Sequence, residues 1–212
     1  MDRRKITFDT WNKVASIYQD KFMDLDLYND TYDLFCRLIR KTDPRIFEIG
    51  CGPGNITRYL LSQRPDFKIE AIDMAPNMVK LAKENNPEAG FTVMDCREID
   101  GLAAAGFDGI MCGFCMPYLS KEECAKLIGD CASLLNSGGI FYFSVIEDDY
   151  HKSGYETSSD GQDKAYVYYH EENYLQEALM KNGFESAGLT RKNYPKAGEV
   201  SSTHLVFITK KK

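Results

Sequence analysis

Three glycines at alternate positions, directly after a short apolar run and before a helix-like one, constrain this chain more than any other feature. The run is FEIGCGPGN, Phe47 to Asn55. Gly50, Gly52 and Gly54 let the backbone turn sharply and approach a bound molecule with no Cβ in the way. Glu48 places an anionic group near the carboxyl end of the preceding strand, and Cys51 sits inside the turn. A dinucleotide fingerprint needs a glycine three places after its second, and that position here is Asn55. Nothing in the GxGxG spacing therefore calls for a pyrophosphate on the helix N-terminus. No Gly-Lys-Ser/Thr follows, which excludes a P-loop. A glycine-rich turn with no ligand is the competing reading of this segment taken alone.

The next strand-like run, Lys68 to Ile72, ends in Asp73. An acid about 20 residues after the first glycine, at the tip of the neighbouring strand, is placed to grip a ribose through its hydroxyls. A carboxylate offers two acceptor oxygens to a vicinal diol. Met74 follows and can lie against a purine face. An isolated Asp at a strand end is usually a turn or cap residue. Its spacing from the glycine turn favours the functional reading.

With these residues in place, the chain resembles the class I S-adenosylmethionine-dependent methyltransferases of small-molecule type. Their first motif, Glu-x-Gly-x-Gly-x-Gly, is matched by Glu48, Gly50, Gly52 and Gly54, and their ribose acid by Asp73. The segment VMDCREI is similar to the motif that reads the adenine edge, with Asp95 and Cys96 in the reading positions. FDGIMCGF resembles the fourth strand leading to the methyl-transfer face, at Gly113 and Phe114. LLNSGGIFYFSV is similar to the helix, glycine turn and fifth strand, and YYHEENYLQEALMKNGFE to a late Tyr-rich strand end, helix and Gly-Phe turn. The resemblance implies S-adenosylmethionine as cofactor and no metal. It also implies that Trp11 to Phe22 is an amino-terminal lid, with Tyr18 closing over the cofactor.

Alternation of strand-like and helix-like runs points to the same α/β architecture. Strands are expected near 45–49, 68–72, 91–94, 107–112 and 140–145, with helices near 55–64, 75–85 and 120–135. Phe8 to Lys41 is helical in pattern and is stopped by Pro44. Ser120 with Glu123 makes a capping box. Mostly continuous apolar strands imply a parallel sheet covered on both faces. A final antiparallel hairpin near 185–194 and 203–209 would complete the family's seven-stranded, Rossmann-like, mostly parallel sheet with an antiparallel last strand. The expected organisation is one domain over 1–212: a helical lid segment (1–43), a cofactor-binding core (44–146), a substrate-side insertion (147–169), then a helix and terminal hairpin (170–212).

A chain of 212 residues with 43% hydrophobic content can bury one substantial core. Net charge of −6 argues against a broad nucleic-acid surface, which needs clustered Lys and Arg. No apolar run is long enough to span a bilayer, so the expectation is a soluble, cytoplasmic protein without a membrane partner. Seven cysteines, scattered and odd in number, do not make a disulfide framework. Cys112 and Cys115 form a CxxC, but a second pair for zinc is missing. Cys96, Cys112 and Cys115 are positioned to converge near one strand end. Cys124 and Cys131 read as small buried hydrophobes.

In an open parallel sheet a ligand lies beyond the carboxyl ends of the strands, where strand order reverses. Glu48 to Gly54, Asp73, Asp95 and Gly113 to Tyr118 all fall at such ends. Glu147 to Tyr169 forms another wall, with Ser153 to Gln162 reading as surface loop. Candidates to touch a small-molecule acceptor are Tyr118, Glu147, His151, Tyr168 and His170. Trp11 reads as core. The expected reaction is in-line methyl transfer, with no catalytic base identified. Two other functions remain: a non-catalytic S-adenosylmethionine-binding protein, and a nicotinamide-dependent oxidoreductase, which Asn55 disfavours.

Overall fold

Continuous apolar strands flanked by one-faced helices can bury both surfaces only by stacking helices on each side of a sheet, and this chain does so. The structure is a computed structural model that describes residues 2–102, 106–157, 161–195 and 202–212. Three helices come first: α1 (Arg3–Lys13), α2 (Ala15–Phe22) and α3 (Asn29–Leu38). Alternation follows, with β1 (Arg45–Ile49), α4 (Asn55–Gln63), β2 (Lys68–Asp73), α5 (Pro76–Asn85), β3 (Gly90–Val93) and β4 (Phe107–Cys112). The chain continues with α6 (Lys121–Leu134), β5 (Leu135–Glu147), β6 (Gly154–Thr157), β7 (Lys164–Val167), α7 (Glu172–Lys181), β8 (Phe184–Tyr194) and β9 (Ser202–Lys211).

The seven-stranded sheet has the order β3-β2-β1-β4-β5-β9-β8. Strands β1 to β5 pair in parallel, and β9 runs antiparallel to both β5 and β8. The order reverses at β1, so the carboxyl ends of β1, β2 and β4 frame one crevice. Period-two alternation divides the core. Phe141 and Phe143 of β5 join one cluster with Leu127 and Ile128 of α6, while Ile140 and Tyr142 face a second cluster with Phe35 of α3 and Leu60 of α4. The Ser120–Glu123 capping box forms, with Ser120 N–H donating to Glu123 Oε2 at 2.8 Å, and starts α6 at the crevice.

Two segments depart from the sequence expectation. Helix α1 begins at Arg3, five residues earlier than the apolar stripe suggests, because the Asp2 side chain accepts from Arg4 N–H at 2.9 Å and caps it. Of Ser153 to Gln162, read as loop, 154–157 form β6 and pair antiparallel with β7, while 158–160 lie outside the described residues. A two-stranded ribbon is marginal alone. Here α1 supports it: Tyr166 N–H donates to Thr7 Oγ1 at 3.0 Å, Thr10 Oγ1 donates to the Lys164 carbonyl at 2.7 Å, and Lys13 pairs with Asp163 at 2.8 Å.

Phe143 is fully buried and stacks on Phe207 at 4.7 Å between ring centroids. Phe143→Ala is expected to cost about 3–5 kcal/mol through lost transfer energy and the cavity left behind. The check is the shift in urea midpoint at unchanged slope; a loss under 1 kcal/mol would contradict this core assignment.

Candidate functional site

The glycine turn is held by the neighbouring strand. Gly50 and Cys51 N–H groups both donate to the Ile72 carbonyl, at 2.8 and 3.0 Å. Asp73 completes the clamp: Oδ2 accepts from Gly52 N–H at 2.9 Å and Oδ1 from Ala75 N–H at 2.8 Å. Burial pushes the Asp73 carboxyl above its ordinary range, and those two main-chain donors oppose the shift.

Two of the glycines have separate physical reasons. Gly52 has φ +53°, which favours glycine, and a Cβ there would be in ordinary van der Waals contact with the Tyr18 ring at 3.7 Å and Asn55 Oδ1 at 3.8 Å. At Gly54 a Cβ would lie 2.3 Å from Asn86 Nδ2, which donates to the Gly54 carbonyl at 3.0 Å. Gly54 thus lets the start of α4 pack closely on the end of α5.

Above this turn lies a cavity of about 1060 Å³, its open mouth included. Ten expected residues lie on its wall: Tyr18, Gly50, Gly52, Asp73, Met74, Cys96, Gly113, Phe114, Tyr118 and Tyr168. Its roof is formed by α1 together with β7. Arg3, Thr7, Phe8 and Trp11 come down from α1, and Tyr166 from β7. Trp11, read as core from sequence, is a cavity residue, and its indole Nε1 is buried with no hydrogen-bond partner. Trp11 packs edge-on against Tyr18 and Tyr118, at 5.5 Å from each.

The other expected residues lie off this wall. Glu48 is 1% exposed; its Oε2 accepts from Thr57 Oγ1 at 2.5 Å and its Oε1 has no partner. Desolvation raises its pKa from the ordinary 4.5 to about 8, so the group is mostly protonated at neutral pH. Cys51 is buried in the turn, and its thiol is pushed up by burial. Asp95 accepts from Arg97 N–H and pairs with the Arg97 guanidinium, both at 3.0 Å. Arg97 also pairs with Glu123 at 2.7 Å, and Glu123 with Arg4 at 2.6 Å. Glu147 pairs with Arg191 at 2.6 Å, and His151 is exposed. His170 is fully buried between the Tyr174 hydroxyl and the Met116 carbonyl, and burial lowers its pKa to about 4, leaving it neutral.

Sequence reasoning missed a third histidine. His204 Nδ1 lies 2.7 Å from the Tyr28 hydroxyl and its ring packs beside Phe114, behind the cavity wall. No local motif marks it, because Tyr28 and β9 meet only in the fold. The thiols of Cys96 and Cys115 approach to 3.7 Å, with Cys115 against Gly50, and Cys112 adjoins Cys115.

A family model described as "Methyltransferase domain" matches residues 46–139. The trans-aconitate 2-methyltransferase of Mycobacterium ulcerans is 47% identical over 58 residues, 27% of this chain and 22% of that protein. The tRNA N(3)-methylcytidine methyltransferase of Schizosaccharomyces pombe is 26% identical over 166 residues, 74% of this chain and 67% of that protein. The chain spans about a fifth to a half of the length of the first curated relatives it matches. Among solved structures, the 1,6-didemethyltoxoflavin-N1-methyltransferase of Burkholderia thailandensis, with bound 1,6-didemethyltoxoflavin and S-adenosylhomocysteine, superposes with a TM-score of 0.72 at 22% identity, covering 98% of this chain and 88% of that one. Residues 46–139 thus match a methyltransferase domain, and the fold around them superposes on that of solved methyltransferases.

Glu48 supplies a pH signature. Between about 4.5 and 8 the folded state holds its proton while the unfolded chain releases it, so this group's contribution to stability falls as pH rises. Glu48→Gln removes that dependence. Its stability relative to the parent is expected to rise between pH 5 and 8, by up to about 1.4 kcal/mol per pH unit. Denaturant titrations across that range check it; a pH-independent difference would contradict a raised pKa.

Proposed function

We propose that this chain transfers the methyl group of S-adenosylmethionine to a small-molecule acceptor. The observation that carries the reading is the glycine turn bonded to the Asp73 carboxylate on the wall of the cavity, Gly52 N–H donating to Asp73 Oδ2 at 2.9 Å. Each Asp73 oxygen accepts one main-chain N–H and keeps capacity for a second donor, which suits the two hydroxyls of a ribose. Met74 and Met94 offer apolar surface to a purine, Cys96 lies beside them, and Gly50, Gly113 and Phe114 floor the rest. Tyr18 closes the space above Gly52.

When bound, the cofactor supplies a methyl group already activated by positive sulfur. The chain's own part is alignment and exclusion of water. Orientation of reacting groups lowers a barrier by roughly 7–11 kcal/mol, and the aromatic roof holds both partners in one enclosed volume. That enclosure and the net charge of −6 favour a small molecule over nucleic acid. Among the described residues no helix is long and apolar enough to cross a membrane.

Asp73→Ala is expected to weaken S-adenosylhomocysteine binding roughly 10- to 100-fold, the worth of a hydrogen bond to a charged group. Asp73→Asn, which keeps one acceptor oxygen, should fall between. Calorimetry with circular dichroism as the folding control measures both, and unchanged affinity would refute the ribose assignment. Turnover is tested by incubating the protein with methyl-labelled donor and a metabolite extract. Binding of the cofactor with no labelled product would mark a non-catalytic binding protein.

A further inference from the structure

All seven cysteines are free thiols, and three of them meet at the carboxyl end of β4. Cys96 follows Asp95 in the turn after β3, and Cys115 lies just beyond β4. Their sulfurs stand 3.7 Å apart, and both residues line the cavity. The fully buried Cys112 thiol bonds Cys115 in turn. Cys51 and Cys124, by contrast, direct their sulfurs at main-chain carbonyls, Gly52 at 3.5 Å and Met116 at 3.8 Å.

Cys115 is fixed on every side. A Cβ on Gly50 would lie 2.9 Å from Cys115 Cβ and 3.3 Å from its Sγ, so this side chain packs directly on the first glycine of the turn. Before it, Phe114 has φ +58° and its N–H donates to Ser144 Oγ at 3.0 Å; after it, Tyr118 N–H donates to the Cys115 carbonyl at 3.0 Å. A sulfur–sulfur bond is about 2.05 Å long. Joining the two thiols therefore draws the segments after β3 and β4 together and disturbs the wall where Cys115 meets the glycine turn.

We propose that Cys96 and Cys115 are an oxidative modification site, a dithiol that a peroxide converts to a disulfide across the cavity wall, and that this bond weakens cofactor binding. The effect on the cofactor rests on the methyl-transfer reading; the disulfide itself does not. One sulfur, as its thiolate, attacks a peroxide oxygen, the oxygen–oxygen bond breaks, and a sulfenic acid and water result. The other sulfur then attacks the sulfenic sulfur, and the hydroxide leaves as water with the second thiol's proton. Two thiols lose two hydrogens, and hydrogen peroxide is reduced to two waters. Contact with Cys115 and burial push the Cys96 thiol up; contact with Cys112 and burial do the same to Cys115, against the Cys96 contact. At neutral pH both rest as thiols, so the pair reacts slowly. Linkage makes the effect reciprocal: the factor by which the disulfide lowers cofactor affinity is the factor by which bound cofactor opposes the disulfide.

Full-length protein without cofactor is incubated in mildly alkaline buffer with millimolar hydrogen peroxide, its remaining thiols are blocked, and the product is weighed and peptide-mapped. The expected result is loss of two hydrogens and a cross-link between Cys96 and Cys115, kept in Cys112→Ala and lost in Cys96→Ser and in Cys115→Ser. The fragment spectrum of the linked peptide tells Cys115 from Cys112, so the parent alone decides even where a variant fails to fold. Saturating S-adenosylhomocysteine should slow the reaction by about fivefold or more. In calorimetry the cross-linked parent is expected to bind S-adenosylhomocysteine more weakly by a similar factor and to recover with dithiothreitol, while peroxide leaves each serine variant at its own untreated affinity. No cross-link, a Cys112–Cys115 link in its place, or a cross-link that leaves affinity unchanged would overturn the proposal. So would a loss that dithiothreitol does not reverse, because over-oxidised thiols would then be the cause. If the untreated parent does not bind S-adenosylhomocysteine, the methyl-transfer reading fails instead, and the mass measurement still decides whether the dithiol site exists.

Discussion

The tip of β2 holds the functional part of this molecule in place. The Ile72 carbonyl takes two N–H groups from the glycine turn and the Asp73 carboxylate takes a third, so the turn is shaped by its neighbour and not only by its own glycines. Parallel pairing in register, Ile49 opposite Ile72, delivers both strand ends to the same level. A slip of one residue would turn Asp73 to the other face and leave three main-chain donors without partners.

Around that clamp the remaining parts have graded roles. The sheet and its two apolar clusters supply rigidity, and the capping box sets α6 at the crevice with Glu123 aimed at Arg97 and Arg4. The roof is held from two sides. Helix α1 bonds β7 through Thr7 and Thr10, and Asn12, where the helix ends, is doubly bonded to Asn77 at the start of α5. The Trp11, Tyr18 and Tyr118 rings are thereby packed as one group against the cavity, Trp11 edge-on to both tyrosines.

Much of this was legible locally. The GxGxG turn, Asp73 at the next strand end, the Ser120–Glu123 cap and the continuous apolar strands each rest on short-range patterning that depends on neighbours in the chain. Residues whose roles depend on distant partners were misplaced. Trp11 read as core because an aromatic on a helix usually is, and only the approach of Tyr118 and the α1–β7 contact turns it into cavity lining. Glu48 matched a motif, yet the structure buries it against Thr57, where desolvation keeps its proton on. Glu147 and His170 lie near the strand ends as expected, but Arg191 and Tyr174 occupy them. The 153–162 segment read as loop because nothing local shows that its partner strand β7 will be held by α1.

The sequence by itself determined the α/β order, the glycine turn and the acid at the next strand end, because glycine conformations, strand periodicity and helix caps are properties of adjacent residues. Which side chains face the cavity was decided only by the tertiary structure. Burial and pairing are relations between segments far apart in the chain: they made Glu48 a neutral buried carboxyl, spent Arg4 and Arg97 on Glu123, and buried the Trp11 indole N–H without a partner.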